Sequence, residues 1–507
     1  LTKKSEIMTA ENRRFLLPPI INRILTLLTE QGHEAYVVGG AVRDLLLGKV
    51  PGDFDVATSA PPEQVIGLLE PAGFTVIGEL GQNFGVVVVH QHGQTVEVAT
   101  FRGEAYGVDA HKPEQVWYCN DLRSDLARRD FTVNAMALDL SGNVYDYHGG
   151  RSDLQQQILR TVGFAERRYQ EDALRMYRAC RFVGQLGFDY VQQQGAGPAF
   201  GAANTPYYLP HSYSFPVSRS AGLSLERVRT ELDKLLLGKW AGKGLMLLLA
   251  TGLAAGRCRV REQGTYREID VLPELEHLAG LPQNPRFHCY NVWEHTLAAI
   301  DNSPRQLAIR WALLLHDVAK GLPGIRKLNK EGQPSDHGHE AESAVMAEAI
   351  LNRLRYPAPF VKRVVWLVAR HMRFAPMLVT GERTLLRWLR SEAASGIFKD
   401  NHEMTVAFEQ LVAVFLADMG ATHAGKNTEL MAEGRALGEA VLELARSKMP
   451  VHTKDLAVSG HDVLALLEDK SRIRAAMQYL LQRVQSTNLP NEKAALEDAV
   501  RGWQKRH

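Results

Sequence analysis

The segment AYVVGGAVRDLLLGKVPGDFDVAT, residues 35–58, constrains the fold more than any other. Its four apolar residues 35–38 read as a buried strand that runs into Gly39-Gly40 and a short helix closed by Gly48. DFDVAT (53–58) reads as a second strand, so the segment predicts a small α/β layer. Asp53 and Asp55 are two apart on that strand, and side chains at i and i+2 share a face. Converging carboxylates suit Mg²⁺, which takes oxygen ligands and shares its sphere with phosphates. D-x-D alone is a weak pattern, because most such pairs cap or solvate turns. Its surroundings give it meaning. The glycine pair lets backbone approach a phosphate without an intervening side chain, and Arg43, three residues on, supplies charge-assisted hydrogen bonds.

Beyond this segment, residues 15–31 show helical spacing, a helix is predicted at about 62–70, and VVVVH (86–90) and TVEVATF (95–101) flank the turn QHGQ as a hairpin. The α/β domain is expected to end near residue 150. From residue 165 the pattern becomes mostly helical, with EDALRMYRACRFVGQLGF read as one amphipathic helix. Residues 190–218 contain no Asp, Glu, Lys or Arg but several Gly and Pro, and read as an irregular segment. Helix resumes at SLERVRTELDKLLLG. A length of 507 residues exceeds one hydrophobic core. We therefore expect a head at 15–150, a neck and body at 151–283, a His-rich helical unit at 284–425 and a helical tail at 426–507.

The formal charge of +2 confines any nucleic-acid surface to a local patch. Cys119, Cys180, Cys258 and Cys289 are scattered, without a C-x-x-C pair, and read as reduced thiols. The opening LTKKSEIMTAENRR is polar and no apolar run approaches a membrane-spanning length, so the expectation is a cytoplasmic protein with no membrane partner.

Residues 35–65 strongly resemble the head of the class II tRNA nucleotidyltransferase and bacterial poly(A) polymerase superfamily. The resemblance implies a polymerase-β-like catalytic fold, within an α+β chain whose later domains are helical. It implies that Gly39, Gly40 and Arg43 line the nucleotide site and that Asp53 and Asp55 bind Mg²⁺. One ion of a two-metal site activates the attacking 3′-hydroxyl and the other neutralises the triphosphate. Glu97 matches the family's TVEVATFR-like segment and is either a third acidic group or an exposed strand glutamate. RRDFTVNAMA (128–137) resembles a further motif, in which Arg129 meets the nucleotide while Asp130 and Asn134 fix geometry.

Asp172, Arg175, Arg178 and Arg181 recur every three residues, which on spacing alone is a solvated stripe. The family resemblance makes 171–182 the nucleotide-selecting helix. Asp172 and Arg175 then act as an amino-acid template, and Arg178 and Arg181 serve the triphosphate and the helix position. A carboxylate accepts from the exocyclic amine that cytosine and adenine share, and faces a carbonyl on guanine or uracil. Residues 102–130, with Tyr106, Asp109 and Lys112-Pro113, resemble the family's flexible loop for the switch from C to A addition, although Lys112 stands where Arg is frequent.

His295, His316-Asp317, His339 and His371 follow in order, with the His-Asp pair in an apolar run, where a buried charge needs partners or a metal. The set resembles an HD phosphohydrolase domain. That implies metal ligands at these five positions, with Asp418 as a final ligand and His337 as the alternative to His339, for a transition metal or Mg²⁺. The tail resembles the family's tRNA-holding segment. Lys448, Lys454, Arg501, Lys505 and Arg506 are available to phosphates, and Trp503 reads as packing rather than base stacking.

The expected function is template-independent addition of CCA to the 3′ end of tRNA from CTP and ATP. A-only addition or poly(A) synthesis keeps the same chemistry. A different class is an HD phosphohydrolase whose head only binds RNA. Intact Asp53 and Asp55 speak against that last reading.

Overall fold

The computed structural model describes residues 15–77, 85–106, 113–119, 121–192, 213–374, 376, 382–446, 450–486 and 489–505. The chain falls into two compact units, Leu1–Pro273 and Glu274–His507. The architecture is α+β, with the large sheet near the start and helices thereafter.

The first unit opens with α1 (Pro19–Glu30), whose Ile20, Ile21, Ile24, Leu25 and Leu28 form one buried stripe. Each such side chain contributes about 2 kcal/mol of burial. Then come β1 (Ala35–Val38), α2 (Gly40–Leu46), β2 (Asp55–Thr58) and α3 (Pro62–Leu69). β3 (Thr75–Val76), β4 (Val86–Gln91) and β5 (Gln94–Thr100) follow. His92 and Gly93, at φ +50° and +78°, make the tight turn of the expected hairpin. β6 (Arg102–Tyr106) and β7 (Pro113–Tyr118) pair as a separate ribbon, followed by α4 (Leu122–Ala127). With β8 (Met136–Leu138) and β9 (Val144–Asp146), the described strands complete a seven-stranded sheet ordered β3-β4-β5-β2-β1-β8-β9. β1 is antiparallel to β2 and β2 parallel to β5, which sets Asp55 opposite Glu97.

Next are α5 (Gly150–Gln156), β10 (Ile158–Arg160), α6 (Ala165–Glu171), α7 (Leu174–Leu186) and β11 (Asp189–Val191). The expected single helix through EDALRMYRACRF is therefore two. Asp172 breaks it at φ −139°, ψ 106°, and its carboxylate accepts the Leu174 N–H (3.0 Å), the local bond by which a short acidic side chain competes with helix continuation. α8 (Leu225–Leu236) and α9 (Ala241–Ala250) pack on α7. A Cβ on Gly244 would sit 2.4 Å from the Cys180 carbonyl, so glycine permits that approach.

The region is mostly helical as expected, but it also holds a hairpin that was not anticipated, β12 (Arg257–Glu262) and β13 (Thr265–Asp270). Cys258 and Val260 are buried and alternate with arginines, a strand period, and Gln263-Gly264 turn at positive φ. Of the irregular segment 190–218, residues 193–212 lie outside the described chain.

In the second unit, helices Val292–Asn302, Leu307–Leu315, His339–Arg353, Ala358–Arg370 and Asn401–Gly420 surround a core that includes the fully buried Trp311 and Leu411. The helix in the apolar run before the His-Asp pair ends at Leu315, and Val318 N–H bonds back to the Leu315 carbonyl in a turn that holds the pair. Helices Glu382–Ala394, Thr428–Arg446, Gly460–Leu466, Ile473–Ser486 and Lys493–Gln504 are the unit's other described α-helices. Among the described residues, no helix is long and apolar enough to cross a membrane.

Candidate active site and metal centre

In the first unit, the ends of β1 and β2 and the starts of α2 and α7 meet at a polar cavity of about 580 Å³. It is lined by Gly39, Gly40, Arg43, Asp53, Asp55, Arg129, Asp172, Arg175, Arg178 and Arg181, so the residues singled out in the head and the selecting helix come together. Asp53 lies two residues before β2, which begins at Asp55 rather than at 53. Glu97 faces Asp55 across the β2–β5 pairing. Asp55 is pushed up to about 6, first by partial loss of water at the cavity wall, then by the like charges of Glu97 and Asp53, with Arg129 opposing. A carboxylate held up by neighbouring carboxylates belongs to a donor set that a divalent cation would relieve.

Gly39 sits at φ +75°, and a Cβ there would come 3.1 Å from the Arg129 guanidinium. Glycine thus shapes both the turn and the cradle beside Arg129. Arg43 donates through Nη1 to Asn134 Oδ1 (2.7 Å) and through Nε to Asp44 (2.9 Å). Arg129 pairs with the buried Asp125 (3.2 Å). Asp130 accepts from Phe131 N–H (2.8 Å) and Arg178 Nε (2.7 Å), so it holds the motif and the helix together, as its structural reading requires. Arg181 pairs with Glu231 on α8 at 2.6 Å.

Asp172 and Arg175 differ in availability. Asp172 has Arg227 3.8 Å away, and burial raises its carboxyl above the usual range against the pull of Arg227 and Arg175. Arg175 is 6% exposed and already engaged by Glu171 (2.9 Å) and the carbonyls of Arg128 (2.8 Å) and Arg168 (3.3 Å). Sequence reasoning missed Glu171, Asp125, Glu231 and Arg227. Glu171 and Asp125 stand four residues before Arg175 and Arg129, a helical spacing that could have pointed to them, whereas no spacing rule ties Glu231 to Arg181 or Arg227 to Asp172. In the flexible-loop region, Asp109 and Lys112 and the side chains of Tyr106 and Pro113 lie outside what the structure describes.

The second unit carries a separate cluster. His295, His316 and Asp418 form one group, and His316, Asp317 and His371 another, with ligand atoms within 4.8 Å of one another in each. His295 Nε2 is 2.8 Å from Asp418 Oδ1, His316 Nε2 is 3.2 Å from Asp317 Oδ2, and His339 Nε2 is 3.0 Å from Asp317 Oδ1. His337 is exposed on the adjoining cavity, while His339 is buried.

The Nδ1 atoms of His316, His339 and His371 each lie 2.7 Å from a backbone carbonyl, of Leu313, Asp336 and Val368 respectively. A carbonyl only accepts, so each Nδ1 carries a proton and each Nε2 is the ring atom left facing the cluster. Burial works against the Asp317 charge, but His316, Lys320 and His339 outweigh it and hold the carboxyl well below its usual range. Burial and then the His316 charge push His371 down to about 3. Neither Asp317 oxygen makes a well-formed hydrogen bond although the residue is wholly buried, which a metal would explain. Lys320, with Nζ 2.7 Å from Asp317, and His288 beside His295 were not anticipated.

In the tail, Lys448 and Arg506 lie outside the described residues. Arg501 pairs with Asp498 at 2.8 Å. Trp503 is buried against Tyr479 with Arg472 over its ring, as packing predicts.

A family model described as the poly A polymerase head domain matches residues 35–160, and one described as the HD domain matches 287–405. The CCA-adding enzyme of Lactiplantibacillus plantarum is 36% identical over 314 residues, which span 61% of this chain and 71% of that protein. The chain belongs to the CCA-adding enzyme family. The family's member from Geobacillus stearothermophilus is 43% identical over 305 residues, 60% of this chain and 64% of its own length. That from Geobacillus thermodenitrificans is 42% identical over 243 residues, 48% of this chain. The chain spans 64% and 55%, respectively, of the length of these last two relatives. Among solved structures, the Bacillus stearothermophilus CCA-adding enzyme in complex with CTP covers 97% of the chain and all of its own, with TM-score 0.60 and 27% identity. The Thermotoga maritima CCA-adding enzyme complexed with tRNA has TM-score 0.54 at 14% identity and shares the fold.

Proposed function

We propose that this chain adds C and A nucleotides, ending in CCA, to the 3′ end of tRNA from CTP and ATP without a nucleic-acid template. The observation that carries the reading is the meeting of Asp53 and Asp55 with eight arginines and Asp172 in one cavity. Asp53 and Asp55 would hold Mg²⁺, which supplies activation of the 3′-hydroxyl and charge neutralisation on the triphosphate. Arg43, Arg129, Arg178 and Arg181 bind and orient the triphosphate, each fixed from behind by an acidic or amide partner. Asp172 accepts from the exocyclic amine of cytosine or adenine. Arg175 joins it in base reading once Glu171 or a carbonyl partner yields a hydrogen bond. The complexes of relatives with CTP, ATP and tRNA support the same reading. We read the chain as a head at 15–150, neck and body at 151–283, HD domain at 284–425 and RNA-holding tail at 426–507, working in the cytoplasm.

The test is incubation with tRNA lacking CCA, tRNA ending in CC and an unrelated RNA, each with one labelled triphosphate. CMP and AMP incorporation that stops at CCA is expected. AMP-only incorporation identifies the A-adding or poly(A) alternative, and no incorporation refutes the head chemistry.

For the second unit we infer a phosphohydrolase centre, carried by the wholly buried Asp317 carboxylate gathered with imidazoles in one cluster. His295, His316, Asp317, His339, His371 and Asp418 would hold a divalent or transition metal, which supplies a water nucleophile of lowered pKa. Metal analysis of the purified protein, with assays on 2′,3′-cyclic phosphate and 2′-nucleotide substrates, tests it. A metal-free, inert centre defeats it.

A further inference from the structure

Three guanidiniums of the first unit converge on one aromatic ring. Arg181 lies 4.0 Å from the centroid of Phe182, Arg178 5.4 Å and Arg43 5.5 Å. Phe182 is 5% exposed and lines the nucleotide cavity. It is fixed edge-to-face by the fully buried Phe131, at 5.5 Å between centroids. Phe131 in turn stands between Asp130, which holds Arg178, and Thr132-Val133-Asn134, whose asparagine holds Arg43.

Like charges gathered this closely repel. Burial first, and then Arg178 and Arg43, pull Arg181 below the ordinary arginine range, with Glu231 and Asp130 opposing. The acidic and amide partners of the three arginines anchor each from its own side: Asp44 and Asn134 for Arg43, Asp130 for Arg178, Glu231 for Arg181. Each of these anchors is in contact with one of the three, although Asp130 and Glu231 act electrostatically on both Arg178 and Arg181. The ring is shared by all of them. A π-face attracts each cation without neutralising it, and it accepts no N–H hydrogen bond that a phosphate oxygen would have to displace. A carboxylate in the same place would also gather the arginines, but would repel the triphosphate.

We propose that Phe182 is a positioning residue for nucleotide addition. Its ring is the common platform that holds Arg43, Arg178 and Arg181 at the spacing a triphosphate needs. The inference rests on the nucleotide-site reading above and adds to it a residue that touches the arginines rather than the substrate.

The test uses the full chain and measures steady-state incorporation together with direct binding of CTP and CMP. Phe182→Leu keeps an apolar side chain and removes the π-face. It is expected to raise KM for both CTP and ATP about tenfold, with kcat changed less than about threefold, and to lower the CTP-to-CMP affinity ratio by a similar factor. Phe182→Tyr keeps the ring and should restore both to within about twofold of wild type. Phenylalanine analogues with successive ring fluorines at position 182 keep the shape while draining the π-face. With these, KM should climb stepwise with fluorine number, a readout that mere packing does not move and that stands even when the leucine variant fails to fold. An unchanged CTP-to-CMP ratio in the leucine variant, or a flat fluorine series, overturns the proposal. Wild-type protein that binds neither nucleotide overturns the nucleotide-site reading itself, and this proposal with it.

Discussion

At the residue scale, the chemistry of the head concentrates on Asp55. Replacing it by Asn removes a charge from the predicted Mg²⁺ site and little volume. Incorporation should fall at least about a thousandfold while the thermal midpoint stays within a few degrees, since the site then lacks the metal-dependent stabilisation of the reaction. Retained activity defeats the metal assignment. The raised Asp55 pKa of about 6 sets a pH window. A proton competes with Mg²⁺ below that value, so the Mg²⁺ concentration giving half-maximal incorporation should rise steeply between pH 7 and pH 5, and added Mg²⁺ should rescue the rate. The linkage sign for metal-free protein is opposite. The native state binds this proton more tightly than the unfolded chain does, so the contribution to stability is present below the unfolded carboxylate pKa and is lost as pH rises through about 6. Unfolding with and without Mg²⁺ across that range checks both signs.

At the element scale, the break between α6 and α7 carries the functional weight. Asp172 both caps the start of α7 and presents a carboxylate to the cavity. Asp172→Ala should cost about 1 kcal/mol of stability through the lost cap and should relax base choice toward UTP or GTP. Asp172→Asn keeps a capping side chain and should restore the stability without restoring selectivity. Denaturation combined with incorporation of each labelled triphosphate separates the two roles. Gly39→Ala offers a backbone counterpart. A Cβ at φ +75°, 3.1 Å from Arg129, should lower stability by about 1–2 kcal/mol and raise KM for nucleotide. The three-residue stripe from Asp172 to Arg181 was legible in the sequence, but its assignment to one helix was not. Helical periodicity counts residues, and a local acceptor such as Asp172 can interrupt the count without disturbing it. The β12–β13 hairpin was missed for the opposite reason: an alternating Arg/apolar run of six residues was absorbed into a helical region.

At the scale of the whole molecule, two polar sites sit in two compact units, each with its own donor set. His316→Ala should strip metal from the second unit and abolish any phosphohydrolase activity there, yet leave CMP and AMP incorporation within about twofold of wild type. Elemental analysis and the two assays run side by side check this, and a parallel loss of both activities would refute separate centres. The sequence by itself determined the head's strand–glycine–helix–strand order, the identity of the acidic pair, and the order of the histidines. These are local facts, set by period, turn chemistry and motif. Only the tertiary structure decided which carboxylate faces Asp55, which acids hold each arginine, that Asp317 is left without a well-formed hydrogen bond, and that Phe182 lies under three guanidiniums. Apart from near neighbours such as Asp44 with Arg43 and Asp125 with Arg129, those relations join residues tens of positions apart. Burial and register create them, and the chain's local preferences do not encode either.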